Sequence, residues 1–308
     1  MDISIIISNY DPKDRLLSCI DHALGQDAAA GEYEVIFPLH GEIADGEMDQ
    51  LCARAAGTER LHLLEGERCN RARALNNAVR RAASERLVFL ESHVHAPPDL
   101  AAHYRRLMHS PVVAAVQGAF AAAVTTNWVS EVESSLRVRS GERRRARGLP
   151  ADEFHLHSAG FQRGALLGAG GFDERVPGIA EVPLLQRIRD CGGRIVALEG
   201  PAVHHVNHDD FRGYVQALRR RGREVGLLWR LDPDVASRLY PSAALERCGA
   251  LIRHAHRPLQ LAGAAQLSLA SLALALCRGL LPRPLTLAAA AQVAAAAVRA
   301  GVVEGYCA

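Results

Sequence analysis

Short apolar runs alternate with segments of helical periodicity along the first hundred residues. The run at residues 87–90 is unbroken, as is typical of a strand buried on both faces. Strands alternating with helices of this length predict βαβ units and a mostly parallel sheet. In this part of the chain the predicted strands are 3–8, 33–38, 60–64 and 87–90, and the predicted helices are 14–25, 48–56 and 69–83.

The alternation continues less regularly as far as residue 211, and the pattern is helical from there onward. The stretch 130–150 is polar and contains a run of arginines at positions 143–147, which predicts a surface loop. The further predicted elements are helices at 99–108 and 182–190 and strands at 112–120 and 194–198.

The net charge of +2 conceals a difference between two parts of the chain. Residues 212–308 contain 13 arginines and 5 acidic residues, a net charge of +8, which leaves −6 for residues 1–211. A basic segment rich in Leu and Ala suits either an anionic membrane surface or a solvated helix face. Its apolar stretches, 259–276 and 285–298, are interrupted by polar residues or built mostly of alanine. They therefore favour helices packed on the sheet or lying at a membrane interface over true spans.

The N-terminus and the cysteines bear on the cellular compartment. Met1-Asp2 places an acid where a signal peptide carries cations, and the apolar run that follows is short. The seven cysteines are scattered and form no C-x-x-C pair. We therefore expect a cytoplasmic protein, with the basic tail allowing a peripheral position on the inner membrane face.

Polar side chains suited to metal binding follow the strand at 87–90. Glu91, His93 and His95 are spaced at i, i+2 and i+4, so in an extended chain they point the same way and could bind one cation. Carboxylate and imidazole are ligands for a borderline divalent ion such as Mn²⁺ or Zn²⁺. The alternative is a polar strand end with solvated histidines. A second group of potential ligands lies at 204–208.

With these clusters in place, residues 3–230 resemble a nucleotide-sugar glycosyltransferase of the GT-A fold, closest in outline to family 2. Glu91-Ser92-His93 occupies the position of the family's D-x-D metal motif and is similar to the D-x-H form of polypeptide N-acetylgalactosaminyltransferases. The other matching landmarks are the opening strand and turn from Ser4 to Asp11, the helix segment Arg71-Ala72-Arg73-Ala74-Leu75-Asn76-Asn77-Ala78, the block Gly170-Gly171-Phe172-Asp173-Glu174, and Val203-His204-His205.

This resemblance implies an α/β fold with a mixed, mostly parallel sheet flanked by helices and a C-terminal helical extension. It implies a glycosyltransferase domain at 1–230, with a nucleotide-binding half at 1–98 and an acceptor half at 99–230, and an apolar, basic extension at 231–308. The expected partners are a nucleotide-sugar donor, with a UDP-sugar favoured, and a glycan, lipid-linked or natural-product acceptor. Nucleic acid is not expected, because the basic tail lacks interleaved aromatic residues.

The resemblance also assigns roles to residues. It implies a metal site formed by Glu91, His93 and His205, with His204 the second choice and His208 left open. An imidazole-containing site favours Mn²⁺ over Mg²⁺. Glu181 is the candidate catalytic base, against the alternative of an acid that favours the start of a helix. The implied donor-binding residues are Asn9, Asp11, Arg71, Arg73 and Ser92.

The chain departs from the family pattern in places that affect function. Pro38-Leu39-His40-Gly41 stands where an acidic pair usually contacts the nucleoside, which leaves the donor base open. Glu181-Val182 stands where inverting relatives have an E-D pair, so inversion and retention both remain open. These departures also support an alternative, a catalytically inactive domain that serves as a binding or scaffold partner. His155 and His157 flank the expected acceptor region and are not assigned to the metal.

Overall fold

A computed structural model describes residues 1–9, 15–28, 32–40, 43, 45–64, 69–121, 127–145, 155–240 and 283–307. The chain divides into two compact units. Unit 1 consists of Met1–Val124 and Glu153–Val206, and unit 2 of Thr125–Asp152 and Asn207–Ala308. The expected domains at 1–230 and 231–308 stay a prediction.

Unit 1 is built on an eight-stranded mixed sheet with the order β3-β2-β1-β4-β7-β6-β8-β5. The pairs β1–β2, β1–β4, β2–β3 and β6–β8 are parallel, whereas β7 runs antiparallel to β4 and β6, and β5 to β8. The predicted fold class is thereby confirmed. The strands are β1 Ile3–Ser8, β2 Tyr33–Pro38, β3 Leu61–Leu64, β4 Arg86–Glu91, β5 Val94–His95, β6 Val113–Phe120, β7 Ser158–Gln162 and β8 Arg194–His205.

Helices cover both faces of this sheet, and the side chains of β4 alternate between these two faces. Val88 and Leu90 belong to one hydrophobic cluster, and Leu87 and Phe89 to the other. Because every residue of the run is buried on one face or the other, the apolar run is unbroken. The helices described in unit 1 are α1 Leu16–Leu24, α2 Asp45–Ala56, α3 Arg71–Arg81, α4 Leu100–Leu107, α6 Arg163–Gly168 and α7 Glu181–Asp190.

The strand register determines which residues meet at the end of β4. β4 and β7 are antiparallel with Leu90 opposite Ser158. The residue that follows Leu90 therefore lies beside the residue that precedes Ser158. β5 pairs with β8 so that Val94 lies opposite His205. The end of β8 is thus brought back to the turn after β4.

Unit 2 is helical in its described part. Its helices are α5 Trp128–Arg145, α8 Phe211–Leu231, α9 Pro233–Leu239 and α10 Arg283–Cys307. The prediction of a loop at 130–150 is wrong for residues 130–145, which are helical. Val129 and Val132 on α5 are buried in a cluster with Tyr214 of α8 and Val293 of α10. Helix α5 has few apolar residues, so its polar composition did not predict a helix. The contacts of these apolar residues with α8 and α10 stabilise it.

Glycines bring α8 and α10 into backbone contact. A Cβ atom added at Gly226 would lie 2.0 Å from the carbonyl oxygen of Val302, and one at Gly305 would lie 1.7 Å from that of Arg223. Any side chain at these positions would force the two helices apart. The predicted apolar helix at 285–298 lies within α10, and the stretch 259–276 lies outside the described residues. No helix in the described part of the chain is both long and apolar enough to cross a membrane.

Candidate active site

Three histidines from separate parts of the chain converge beyond the end of β4. We call His93, His157 and His205 the histidine group. His93 lies in the turn between β4 and β5, His157 directly precedes β7, and His205 ends β8. One ring nitrogen of each lies within 4.8 Å of those of the other two. The ring centroids are 4.7 to 5.0 Å apart. This arrangement could hold a divalent metal ion.

Glu91 adds a carboxylate to the histidine group. Its Oε2 lies 3.1 Å from Nε2 of His157 and 3.6 Å from Nε2 of His93. The residue is only 4% exposed. A buried carboxylate beside imidazole nitrogens is a donor set that fits a divalent transition metal. The sequence prediction of Glu91 and His93 as neighbours in one site therefore has a geometric basis, while their role as ligands stays a prediction.

Arg71 lies between two buried carboxylates. Its guanidinium donates to Glu91 Oε1 at 2.8 Å, to Ser8 Oγ at 2.7 Å and to Glu181 Oε2 at 3.5 Å. Arg71 is 7% exposed. Its position at the start of α3, next to the end of β1, allows one side chain to reach all three groups. Its predicted contact with a diphosphate is a prediction still. In this structure it bonds the carboxylates of Glu91 and Glu181, the hydroxyl of Ser8 and the carbonyl oxygen of Pro177.

The other predicted donor-binding residues occupy different environments. Ser92 Oγ donates to Asn9 Oδ1 at 3.1 Å, and both residues are buried at the end of the central strands. Arg73 is exposed on α3, two residues beyond the buried Arg71. Asp11 lies outside the described residues. The pair Asn9–Ser92 lies where ligands bind in open parallel sheets, at the carboxyl ends of strands.

Glu181 is the first residue of α7 and is 2% exposed. The start of α7 follows the Gly170-Gly171 turn, which α3 holds in place through Asn76. The Asn76 side chain accepts a hydrogen bond from the backbone N–H of Phe172 at 2.9 Å and donates to its carbonyl oxygen at 3.0 Å. The two sequence landmarks on α3 and at 170–174 are therefore in direct contact. Through Arg71 and Asn76, α3 connects Glu181 to the end of β4.

The remaining candidate histidines lie elsewhere. His204 is exposed, as strand alternation next to the buried His205 requires. His95 Nε2 lies 3.0 Å from Ser18 Oγ, and its ring lies 4.4 Å from that of His22. His208 belongs to unit 2, where its Nδ1 lies 3.1 Å from Glu133 Oε2.

His157 is the residue that sequence reasoning left out of the metal site. Its spacing to Glu91, 66 positions along the chain, carries no signal by itself. The signal lies in the antiparallel pairing of β7 with β4, which places His157 beside Glu91 once Ser158 is opposite Leu90. The prediction of a mixed, mostly parallel sheet did not say which strand runs antiparallel beside β4, so it could not place His157 there.

His40 follows β2 at the same edge of the sheet and is buried. Within the described residues, its buried Nε2 has no hydrogen-bond partner. Burial first, and then the positive charge of Arg71, lower the pKa of His40 to about 4. The imidazole is therefore neutral at pH 7.

Comparison with known proteins agrees with this picture. The model of the family described as "Glycosyl transferase family 2" matches residues 4–167, more than half of the chain. Among solved structures, the mannosyltransferase PcManGT from Pyrobaculum calidifontis in complex with GDP-Man and Mn²⁺ is similar, with a TM-score of 0.55. The identity is 23%, over 94% of this chain and 86% of that one.

A structure of S. aureus TarS 1–349 in complex with UDP-GlcNAc is also similar. Its TM-score is 0.53 and its identity 11%, over 99% of this chain and 89% of that one. A comparison with curated protein sequences found no match.

The fold and the family match show a GT-A protein of the nucleotide-sugar glycosyltransferase class. The chain belongs to glycosyl transferase family 2 and is a glycosyltransferase. The implied resemblance to this family is thereby confirmed.

Proposed function

We propose that this protein transfers a sugar from a nucleotide diphosphate donor with the help of a divalent metal ion. The observation that carries this proposal is the convergence of Glu91 with the histidine group at the carboxyl ends of the strands. This is the position where an α/β sheet binds its ligand. Glu91, His93 and His205 would hold the ion, as the sequence predicts, and Mn²⁺ is preferred over Mg²⁺.

The metal, when bound, acts as a Lewis acid that stabilises the charge developing on the departing diphosphate. The chain supplies the remaining functions. Arg71 holds Glu91 through one carboxylate oxygen and so fixes the direction of the other. Asn9 and Ser92, buried at the neighbouring strand ends, orient the donor, together with Asp11, Arg71 and Arg73. Burial of Asn9, Arg71 and Ser92 lowers the local dielectric constant and so strengthens their polar interactions.

Glu181 is the proposed base that takes the proton of the acceptor hydroxyl. Its Oε2 faces the guanidinium of Arg71 at 3.5 Å, which compensates the buried carboxylate charge. For this role the acceptor oxygen must approach a carboxylate oxygen to about 2.6 to 3.2 Å, directly or through one water. An inverting reaction needs such a base, whereas a retaining reaction does not.

The donor base and the acceptor are the finer parts of the proposal. The comparison structures contain GDP-Man in one case and UDP-GlcNAc in the other. This supports a nucleotide-sugar donor, and we favour a UDP-sugar. The acceptor is a glycan, a lipid-linked sugar or a natural product.

The test is transfer or hydrolysis of a panel of UDP- and GDP-sugars with Mn²⁺, with and without EDTA. We expect turnover that EDTA abolishes and Mn²⁺ restores. Glu181→Gln should lower kcat by at least about 100-fold if the enzyme inverts. Exposed His109→Gln serves as the matched control and should retain full activity.

The alternative function, an inactive domain that binds a partner, predicts a different result. Calorimetry would then detect nucleotide or protein binding without turnover of any donor, and Glu181→Gln would have no rate to change. Absence of both turnover and metal-dependent nucleotide binding would contradict the main proposal.

The proposal includes a peripheral membrane contact through the C-terminal helices. Helix α8 carries the exposed arginines Arg212, Arg220, Arg223 and Arg230. Their charge favours an anionic lipid surface. Sedimentation with vesicles of anionic lipid, which salt should reverse, tests this contact against neutral vesicles as the control.

A further inference from the structure

We propose that His157 is a ligand of the metal, so that the centre consists of three imidazoles and one carboxylate oxygen. Such a centre binds Zn²⁺ and Co²⁺ far more tightly than Mn²⁺, and Mg²⁺ most weakly. This inference deepens the proposed metal dependence and rests on it for its biological meaning. Metal binding itself can be tested without a donor or an acceptor.

The geometry of His157 matches that of the two predicted histidine ligands. Its ring lies 5.0 Å from the ring of His93 and 4.9 Å from that of His205, with nearly the same spacing as between His93 and His205, 4.7 Å. His157 is as little exposed as His93, with side-chain values of 15% and 14%. If His157 were not a ligand, its imidazole would still lie as close to the other two rings as they lie to each other.

The nitrogens that face the carboxylate are also identified. Nε2 of His93 and Nε2 of His157 both lie toward Oε2 of Glu91, at 3.6 and 3.1 Å. The Nδ1 atoms of the same two rings are buried. Both histidines therefore present Nε2 to a common point beside the carboxylate. Ligands from three strand ends that share one point form a pre-organised centre.

Arg71 limits Glu91 to a single oxygen. Oε1 of Glu91 accepts the guanidinium hydrogen bond at 2.8 Å, and Oε2 faces the histidines. The carboxylate can thus serve as a monodentate ligand while its other oxygen stays bonded. Three nitrogens then outnumber the single oxygen contributed by the protein.

The ratio of nitrogen to oxygen ligands determines which metal ion the site prefers. Mg²⁺ prefers oxygen ligands and is bound through carboxylates and phosphates. Imidazole suits Zn²⁺, Co²⁺ and other late first-row ions, and affinity for nitrogen ligands increases from Mn²⁺ to Co²⁺. A site rich in imidazole is therefore matched to the later ions.

The experiment is a titration of the metal-free full-length protein with Co²⁺, followed by its visible absorption bands. Calorimetry with Zn²⁺, Mn²⁺ and Mg²⁺ under the same conditions completes it. We expect one Co²⁺ per chain and affinities in the order Zn²⁺ and Co²⁺ above Mn²⁺ above Mg²⁺. His157→Gln should weaken Co²⁺ binding by more than about 100-fold, since even outer ligand partners cost 10- to 100-fold.

His109→Gln is the control, because His109 is an exposed histidine outside the histidine group. It should bind Co²⁺ like the original protein. His157→Asn, and a thermal melt of each variant without metal, separate loss of a ligand from loss of folding. Unchanged Co²⁺ affinity and spectrum in a folded His157 variant, or Mg²⁺ affinity equal to that for Co²⁺, would overturn the inference.

The result is separable from the fate of the proposed function. A tight Co²⁺ site that depends on His157, in a protein without glycosyl transfer, would support this inference and contradict the function. Metal-dependent transfer that does not change when His157 is replaced would support the function and contradict this inference.

Discussion

The two units of this chain both bury charged residues, but the surroundings of these residues differ. In unit 1, Glu91 and Arg71 form an ion pair. The three imidazoles of the histidine group lie at the same place, in addition to this pair. In unit 2, Glu133 and His208 bond each other, and the backbone N–H of His208 donates to the same carboxylate at 2.8 Å. The first arrangement brings atoms that could bind a metal ion together from several strand ends, and the second is a pair bonded within one unit.

This difference shows that burial of ionisable residues does not by itself identify a site. Both units contain a buried acid beside a histidine, Glu91 in unit 1 and Glu133 in unit 2. What distinguishes unit 1 is that several side chains from separate strand ends direct atoms of the same chemical kind to one point. Clusters of that kind at the ends of strands are candidates for functional sites.

The largest effect should come from removing the guanidinium of Arg71, which lies between two buried carboxylates of unit 1. Arg71→Met leaves the buried carboxylates of Glu91 and Glu181 without their shared guanidinium. We expect a loss of about 3 to 5 kcal/mol in the free energy of unfolding at pH 7, measured by denaturant titration. Arg73→Met on the exposed side of the same helix is the control and should change stability by no more than about 0.5 kcal/mol. Equal effects of the two variants would show that the buried cluster is not a charge-compensated unit.

The next effect probes the contrasting packing of unit 2. Gly226→Ala places a methyl group against the carbonyl oxygen of Val302. We expect a destabilisation of about 1 to 3 kcal/mol, seen as faster hydrogen exchange in α8 and α10. Gly164→Ala is the matched control, because a Cβ at Gly164 in α6 would meet nothing within 4 Å. Normal exchange in Gly226→Ala would contradict the close helix contact.

The self-contained pair in unit 2 should respond to acid. Burial raises the pKa of Glu133, but the hydrogen bond and charge of His208, with Arg137, outweigh it, so the pKa lies below its usual range. Its contribution to stability is therefore present above the unfolded pKa of about 4.3 and is lost as the pH falls through the lower folded value. Glu133→Gln should cost about 1.5 to 3 kcal/mol at pH 7 and flatten the acid limb. Denaturation as a function of pH measures both, and an unchanged acid limb would refute the assignment.

The effect that is smallest at pH 7, and that grows as the pH falls, concerns His40 in unit 1. His40 titrates near pH 4 when folded and near 6.5 when unfolded. Unfolding therefore takes up a proton between these values, and the free energy of unfolding should fall by up to about 1.4 kcal/mol for each pH unit between 6.5 and 4. His40→Gln should remove this slope, whereas His109→Gln, an exposed histidine, should keep it. A slope unchanged in His40→Gln would contradict the burial of a neutral imidazole.

Much of unit 1 could be predicted because its strands are short apolar runs bounded by turns. The run at 87–90 is buried on both faces of the sheet, and the helix that begins at Arg71 has the expected apolar stripe. The late strand is longer than its apolar part, because it continues to His205 through several exposed or half-buried positions. That extension depends on pairing with β6 and β5, which local sequence does not contain.

The rest required long-range information. Helix α5 has few apolar residues, and Val129 and Val132 reveal their role only against α8 and α10. His157 enters the site through the antiparallel strand β7, and Arg71 turns inward because two acids lie within its reach. Each of these features depends on contacts between residues that are far apart in sequence, so periodicity could not have predicted them.

The central claim, that the ends of these strands hold a catalytic metal against the donor, is tested most directly by crystals grown with Mn²⁺ and either UDP or GDP. Anomalous diffraction at the manganese edge would locate the ion. We predict one peak in contact with Glu91 Oε2, with nitrogens of the histidine group and with the diphosphate. A nucleotide bound without a peak at the histidine group, or a peak at another place, would contradict the account.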